Sequence, residues 1–183
     1  MTSLNSLLDH VLEAGVTGVF VLGTSGEGTF LPDEHRRLVL ETTVRHVAGA
    51  VPVLAGAIDA SSYRAATLVT QAVRAGVDGV VVAAPFYAAT HPAEIERHFR
   101  HLAAAAGDLP VYAYDIPSRV NGTRLPADLL LRLGQEGVLA GVKDSSGVET
   151  GMRRLVLGRE ADGPGGFAVM TGSEVSVDSA LAL

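Results

Sequence analysis

Lysine occurs once in this chain, at position 143, against thirteen arginines. Lys143 closes the apolar run Val138-Leu139-Ala140-Gly141-Val142 and precedes the polar turn Asp144-Ser145-Ser146-Gly147. Taking an ammonium out of water is costly, so an apolar setting favours the neutral amine. A neutral amine attacks carbonyl carbon, which a guanidinium never does. Lys143 is therefore a candidate nucleophile; the ordinary alternative is a structural ion pair with a carboxylate such as Asp144.

Other residues able to do chemistry fall in short clusters: Gly23-Thr24-Ser25-Gly26-Glu27, Tyr87, Tyr114, Arg119 and Gly172-Ser173-Glu174. Singly, each has a plain reading. A Gly/Thr/Ser stretch is often a turn, a tyrosine is often a packed ring with a wet hydroxyl, and an arginine is often a solvated charge. The histidines at 10, 35, 46, 91, 98 and 101 are scattered through helical patterns. His98 and His101 have i, i+3 spacing, but no carboxylate is evidently placed with them, so no metal site is expected.

The elements that must position these residues follow one rhythm. Leu4, Leu7, Leu8, Val11 and Leu12 recur at helical spacing, and Gly15 is placed to end that helix. Strands are expected over 16–22, 51–55, 77–83, 109–114, 138–143 and 167–171. Helices are expected from about Pro32, then over 61–75, 92–106, 126–133, 150–157 and 175–183. The strands are short and almost wholly apolar, as parallel strands covered on both faces are. Glu13-Ala14-Gly15-Val16-Thr17-Gly18-Val19 is echoed by Arg74-Ala75-Gly76-Val77-Asp78-Gly79-Val80, and Glu136-Gly137-Val138 begins a weaker copy. An echo after two βα units fits a barrel of repeated modules better than a doubly wound sheet, without excluding the latter. Gly163-Pro164-Gly165-Gly166 reads as a flexible turn. The polar clusters all fall at or just past carboxyl ends of strands, which converge on one face in a barrel.

The bulk properties bound the function. A chain of 183 residues, 48% hydrophobic, can bury a core and suits one domain. A net charge of −6 without basic clusters argues against nucleic acid and against an anionic membrane surface. Without cysteine there is no disulfide framework and no thiolate metal site. The amino terminus shows no export-signal pattern and the apolar runs are too short to span a bilayer, so a cytoplasmic protein is expected.

Three stretches together carry a family likeness. Gly23-Thr24-Ser25-Gly26-Glu27, Tyr114-Asp115-Ile116-Pro117-Ser118-Arg119 and Gly141-Val142-Lys143-Asp144 closely resemble the signatures of the dihydrodipicolinate synthase / N-acetylneuraminate lyase family. The resemblance covers essentially the whole chain. It implies an α/β fold, the (β/α)8 TIM barrel, here incomplete. Residues 1–183 would form a single barrel domain holding about strands 2 to 7, with the first and eighth missing.

It also implies a class I lyase that needs no cofactor, because a 2-oxo acid such as pyruvate forms a Schiff base on Lys143. By the same likeness Tyr114 shuttles protons and Thr24 relays them. Thr24 and Ser25 hold the keto-acid carboxylate, and Tyr87 is the second tyrosine of the relay, reaching a neighbouring subunit. Arg119 would meet the carboxylate of an incoming aldehyde, which favours the 4-hydroxy-tetrahydrodipicolinate synthase branch. Gly172, Ser173 and Glu174 stand where the second substrate is contacted. Lys143-Asp144-Ser145-Ser146-Gly147 looks more like members acting on hydroxylated 2-oxo acids, and Phe86 stands where many synthases carry tyrosine. The alternatives are a 2-oxo-3-deoxy sugar acid aldolase or dehydratase, a neuraminate lyase-like enzyme, and an inactive shortened homologue or assembly partner. A homo-oligomer, dimer or tetramer, is the implied assembly.

Overall fold

Valine-rich runs punctuated by glycine build the centre of the molecule, and amphipathic helices return the chain between them. The computed structural model describes residues 2–160 and 166–182. The strands are β1 (Val19–Val21), β2 (Val53–Gly56), β3 (Gly79–Ala83), β4 (Val111–Asp115), β5 (Gly141–Asp144) and β6 (Ala168–Thr171). The helices are α1 (Thr2–Glu13), α2 (Asp33–Val47), α3 (Ser62–Ala75), α4 (Pro92–Ala106), α5 (Ala127–Gln135), α6 (Glu149–Glu160) and α7 (Val177–Leu181). Short 3₁₀ turns lie at Pro117–Arg119 and Glu174–Ser176.

All six strands are parallel and lie in sequence order, β1 to β6. A doubly wound sheet would reverse that order at a switch point and bury both faces under helices. Here the outward residues Val53, Ala55, Val80, Val82, Val111, Ala113 and Val142 share one core with Leu40, Leu68, Phe99, Leu102, Leu130 and Leu155 of the helices. The inward residues Val81, Ala83 and Tyr114 form a second cluster with Ile58, Ile116 and Val120, all from loops that follow strands. All the helices that enter a core therefore cover the same face, which is the arrangement of a barrel wall.

The wall is strongly curled. Flat, β1 and β5 would stand roughly 19 Å apart, four strand spacings. Instead Nζ of Lys143 on β5 lies 4.6 Å from the centroid of the Phe20 ring on β1. Val19 and Phe20 of β1 and Ala168 and Met170 of β6 line the same hollow of about 340 Å³. Among the described residues β1 and β6 are the open edges of this incomplete barrel.

Helix ends are fixed by local chemistry. The Ser61 hydroxyl accepts from the Arg64 N–H at the start of α3. Pro92 opens α4, where the Glu94 carboxylate accepts from the His91 N–H at 2.8 Å. The internal echo has a structural meaning: Gly15, Gly76 and Gly137, at matching places after α1, α3 and α5, all have φ between 71° and 80°. Each ends its helix in the left-handed conformation and turns the chain towards the next strand.

Several expected boundaries shift. The strand expected over 16–22 is confined to 19–21, because Val16 to Gly18 are exposed and Leu22 leaves extended geometry with φ 58°. The lysine strand begins at Gly141, since the N–H groups of Val138 and Leu139 both donate to the Leu133 carbonyl and finish α5. The strand expected from 77 begins at Gly79, because the Val77 N–H donates back to Ala72. Asp115 and Asp144 extend their strands by one paired residue. The helix expected over 126–133 runs from Ala127 to Gln135, and that over 150–157 runs from Glu149 to Glu160. The final helix is shorter than expected and follows a 3₁₀ turn. Residues 163–165 of the expected flexible turn lie outside the described residues.

Candidate active site

Strand alternation sends Lys143 and Asp144 to opposite faces of the sheet. Lys143 points inward and is half-buried; Asp144 points outward, is buried, and its carboxylate accepts from the Ser146 N–H at 2.7 Å. The structural ion pair between these neighbours is therefore not formed. Two aromatic faces flank the amine instead. Nζ lies 4.5 Å from the centroid of Tyr114, the β4 residue in direct register with Lys143, and 4.6 Å from that of Phe20. The two rings meet edge to face, with an interplanar angle of 82°. On the other side Met170 of β6 is the register partner.

The turn after β1 brings the next group. Leu22 adopts the left-handed region, an uncommon conformation for a residue with a side chain. It is hemmed in by glycine: a Cβ on Gly28 would lie 2.1 Å from the Leu22 carbonyl oxygen. This sharp exit carries Thr24 across the barrel mouth to β4, where Thr24 Oγ1 and Tyr114 Oη are 3.3 Å apart. The Thr24 and Ser25 N–H groups take no acceptor among the described residues, while the turn closes through Glu27 N–H to Thr24 O and Gly28 N–H to Gly23 O. Free amides beside two hydroxyls make a cradle of the kind that binds a carboxylate.

A cleft of about 360 Å³ opens above, lined by Thr24, Glu27, Phe30, Ile58, Phe86 and Arg119, among others. Thr24 links the two levels, lining the cleft and touching the phenol of the buried Tyr114. Arg119 sits on the 3₁₀ turn after β4, exposed, with no carboxylate partner among the described residues. The Asn121 amide donates to the Phe86 carbonyl and holds that cleft wall.

The remaining sequence candidates lie further out. Gly172 belongs to the amine's surroundings, since a Cβ there would come within 3.1 Å of Lys143 Cε. Ser173 faces a separate hollow of about 140 Å³ behind the sheet, with Asp144, Glu149 and Met152. Glu174 is exposed and lines neither hollow. Tyr87 is 89% exposed and touches none of the cluster around Lys143. Ser25 is exposed at the mouth.

Two features escaped the sequence reading. Phe20 passed as one more apolar residue of a buried strand. Asp115 and Asp144, in register on the outward face, are both buried. Burial, and to a lesser degree the Asp144 charge, push the Asp115 carboxyl up to about 6 against a bond from the Leu125 N–H. His98 and His101 do not share a target either. Buried His98 bridges the Ser62 hydroxyl and the Ala83 carbonyl, and His101 meets the Tyr63 ring.

A lysine and a tyrosine thus stand at adjacent strand ends of a parallel barrel wall, with a Thr-Ser turn over the tyrosine. The model of the dihydrodipicolinate synthetase family matches residues 1–183, and the chain belongs to that family. It is 34% identical over 183 residues to the 4-hydroxy-tetrahydrodipicolinate synthase of Oceanobacillus iheyensis, covering 99% of this chain and 59% of that protein. It is 43% identical over 141 residues to an uncharacterized DapA-like lyase of Halobacterium salinarum, covering 75% of this chain and 46% of that protein. The dihydrodipicolinate synthase of Thermotoga maritima superposes with a TM-score of 0.92 at 26% identity, over 99% of this chain and 61% of that one. YagE, a prophage protein of the same family from E. coli K12 solved with pyruvate, gives 0.89 at 28% identity, over 97% and 59%. The chain thus spans 46% to 59% of the length of these curated relatives.

Proposed function

We propose that this chain, as a single barrel module, carries the pyruvate-condensing site of a 4-hydroxy-tetrahydrodipicolinate synthase-like lyase. One observation carries the reading: Thr24 Oγ1 stands 3.3 Å from Tyr114 Oη, and the Lys143 amine stands 4.5 Å from the same ring's centroid. Lys143 attacks the keto carbon, and the hydroxyl of the resulting carbinolamine leaves as water after protonation. The Tyr114 phenol delivers that proton and Thr24 replenishes it. The iminium withdraws electrons from the adjacent methyl carbon, which loses a proton to give an enamine. The enamine carbon then attacks an aldehyde, or the same steps run backwards as cleavage. No cofactor is required, since the iminium is the electron sink. Thr24 and Ser25 amides and hydroxyls hold the keto-acid carboxylate.

Arg119, without a carboxylate partner among the described residues and lining the cleft that Thr24 also lines, supports an aldehyde bearing a carboxylate. Gly172 keeps the space around the lysine stem open, while Ser173 and Glu174 stand outside the cleft, so recognition of the second substrate falls to Arg119 rather than to them. Tyr87, so exposed in the single chain, suits a role in a neighbouring subunit's site and hence a homo-oligomer, dimer or tetramer. No helix among the described residues is long and apolar enough to cross a membrane. A reaction on small metabolic acids supports a cytoplasmic enzyme, and a chain without cysteine is compatible with a reducing compartment.

The test is intact-mass spectrometry after incubation with pyruvate and borohydride, then peptide mapping. The expected result is one reduced pyruvate adduct, on Lys143. A folded chain that gains no mass, beside a full-length relative that does, sinks the reading. Arg119→Ala should leave pyruvate trapping intact while raising the KM for a carboxylated aldehyde by about tenfold or more.

A further inference from the structure

We propose that Phe20 is a positioning residue of this site, an aromatic wall that sets where the Lys143 amine and the Tyr114 ring stand. The inference rests on the reading of Lys143 as the condensing lysine. Phe20 reaches the site from the far side of the barrel, since β1 and β5 share no hydrogen bonds among the described residues. Its ring packs edge to face on Tyr114, with centroids 6.2 Å apart, and offers its own face to the amine at 4.6 Å. Both distances fall in the ranges where such contacts attract. The amine thus sits in a corner of two perpendicular ring faces, a geometry that one ring alone does not specify. The backbone has been cleared to admit this ring. A Cβ on Gly23 would lie 2.7 Å from the Phe20 ring, so the glycine that opens the Thr24-Ser25 turn also leaves room for it. On the opposite flank Gly172 leaves room for the lysine stem. A ring held by β1 and a lysine held by β5 therefore fix each other only when the wall is curled.

The experiment exploits the single lysine of this chain. Protein labelled with 13C-lysine gives one ε-methylene signal, and ring currents from Phe20 and Tyr114 should move it upfield of its position in the denatured chain. Phe20→Leu, which nearly conserves volume and keeps the strand apolar, should return that signal by about half or more, since the Tyr114 ring remains at a similar distance. The same variant should slow borohydride trapping at saturating pyruvate by about tenfold or more, with half-saturation little changed, as misplacement of a reacting group does. Phe20→Tyr should restore both signal and rate. An ε-methylene signal that stays put in Phe20→Leu, or a trapping rate equal to wild type, overturns the proposal. Should Phe20→Leu fail to fold, Gly23→Ala is the second arm: it pushes on the ring and must shift the same signal. A signal that moves as expected in a wild type that never traps pyruvate upholds the placement by Phe20 and sinks the pyruvate reading instead.

Discussion

The two faces of the sheet are built to different rules. Outward, valines meet helix leucines and Phe99 in a buried apolar core, where almost any volume-conserving apolar residue serves. Inward, the side chains are fewer, larger and individually placed: Phe20, Tyr112, Tyr114 and Lys143 project from the strands and Ile58, Ile116 and Val120 close over them. A strand alternates between the faces at every residue, so one peptide step separates a stability position from a chemistry position. The outer face makes the wall; the inner face uses its curvature to bring distant strands together.

The sharpest way to break that comparison is a pair of substitutions. Lys143→Arg keeps a cation of similar reach on the inner face but removes the nucleophile, so the borohydride adduct should vanish while the unfolding midpoint stays close to wild type. Phe99→Ala removes a fully buried ring from the outer core and should cost about 3–5 kcal/mol by urea unfolding. Whatever remains folded should still trap pyruvate. Loss of stability in Lys143→Arg, or of trapping in folded Phe99→Ala, would show that the faces are not separable.

The same division explains what the sequence could and could not reveal. Outer positions declare themselves as uninterrupted Val/Ala runs, and helix ends as Gly15, Gly76 and Gly137, because both follow from local patterns. Sequential parallel strands were legible for the same reason. Lys143, Tyr114, Thr24 and Arg119 were legible because lysine is otherwise absent and polar residues at strand ends stand out against apolar runs. Phe20 was not, since an aromatic inside an apolar strand has no local mark of which face it takes. Its role depends on a strand three positions beyond its nearest neighbour in the sheet. The separation of Ser173 and Glu174 from the main cleft was likewise invisible, being set by the path of the chain after β6 rather than by its motif.

His98 tests the outer face by pH. The Ala83 carbonyl can only accept, so Nε2 carries the proton and Nδ1 accepts from the Ser62 hydroxyl. At 2% exposure, burial outweighs the Ala83 bond and lowers this imidazole to about 4 from 6.5. A histidine lowered in the folded state binds its proton more readily when unfolded. Its contribution is complete above pH 6.5 and falls away as pH drops towards 4, by on the order of 3 kcal/mol. Urea unfolding at pH 7.5 and pH 5 should show the slope, and His98→Gln should flatten it. An unchanged slope in that variant would place the acid sensitivity elsewhere.

Asp115 carries the smallest expected effect and the finest test of the comparison, because it is the outward neighbour of inward Tyr114. Its carboxyl, raised to about 6 mainly by burial, favours the folded state when protonated. The sign therefore runs opposite to that of His98: the stabilisation is present below about pH 4 and is lost as pH rises through 6, so ionised Asp115 is a burden at neutral pH. Asparagine cannot ionise and still offers an oxygen to the Leu125 N–H that Asp115 now accepts at 3.2 Å. Asp115→Asn should unfold later than wild type at pH 7.5, by about 1–2 kcal/mol, with the difference closing by pH 4. The pyruvate adduct should form at the wild-type rate, since the substituted side chain points away from the amine. A stabilised variant that traps slowly would mean that the outward carboxylate reaches the chemistry through the strand it shares with Tyr114, and that the wall between the two faces is thinner than its packing suggests.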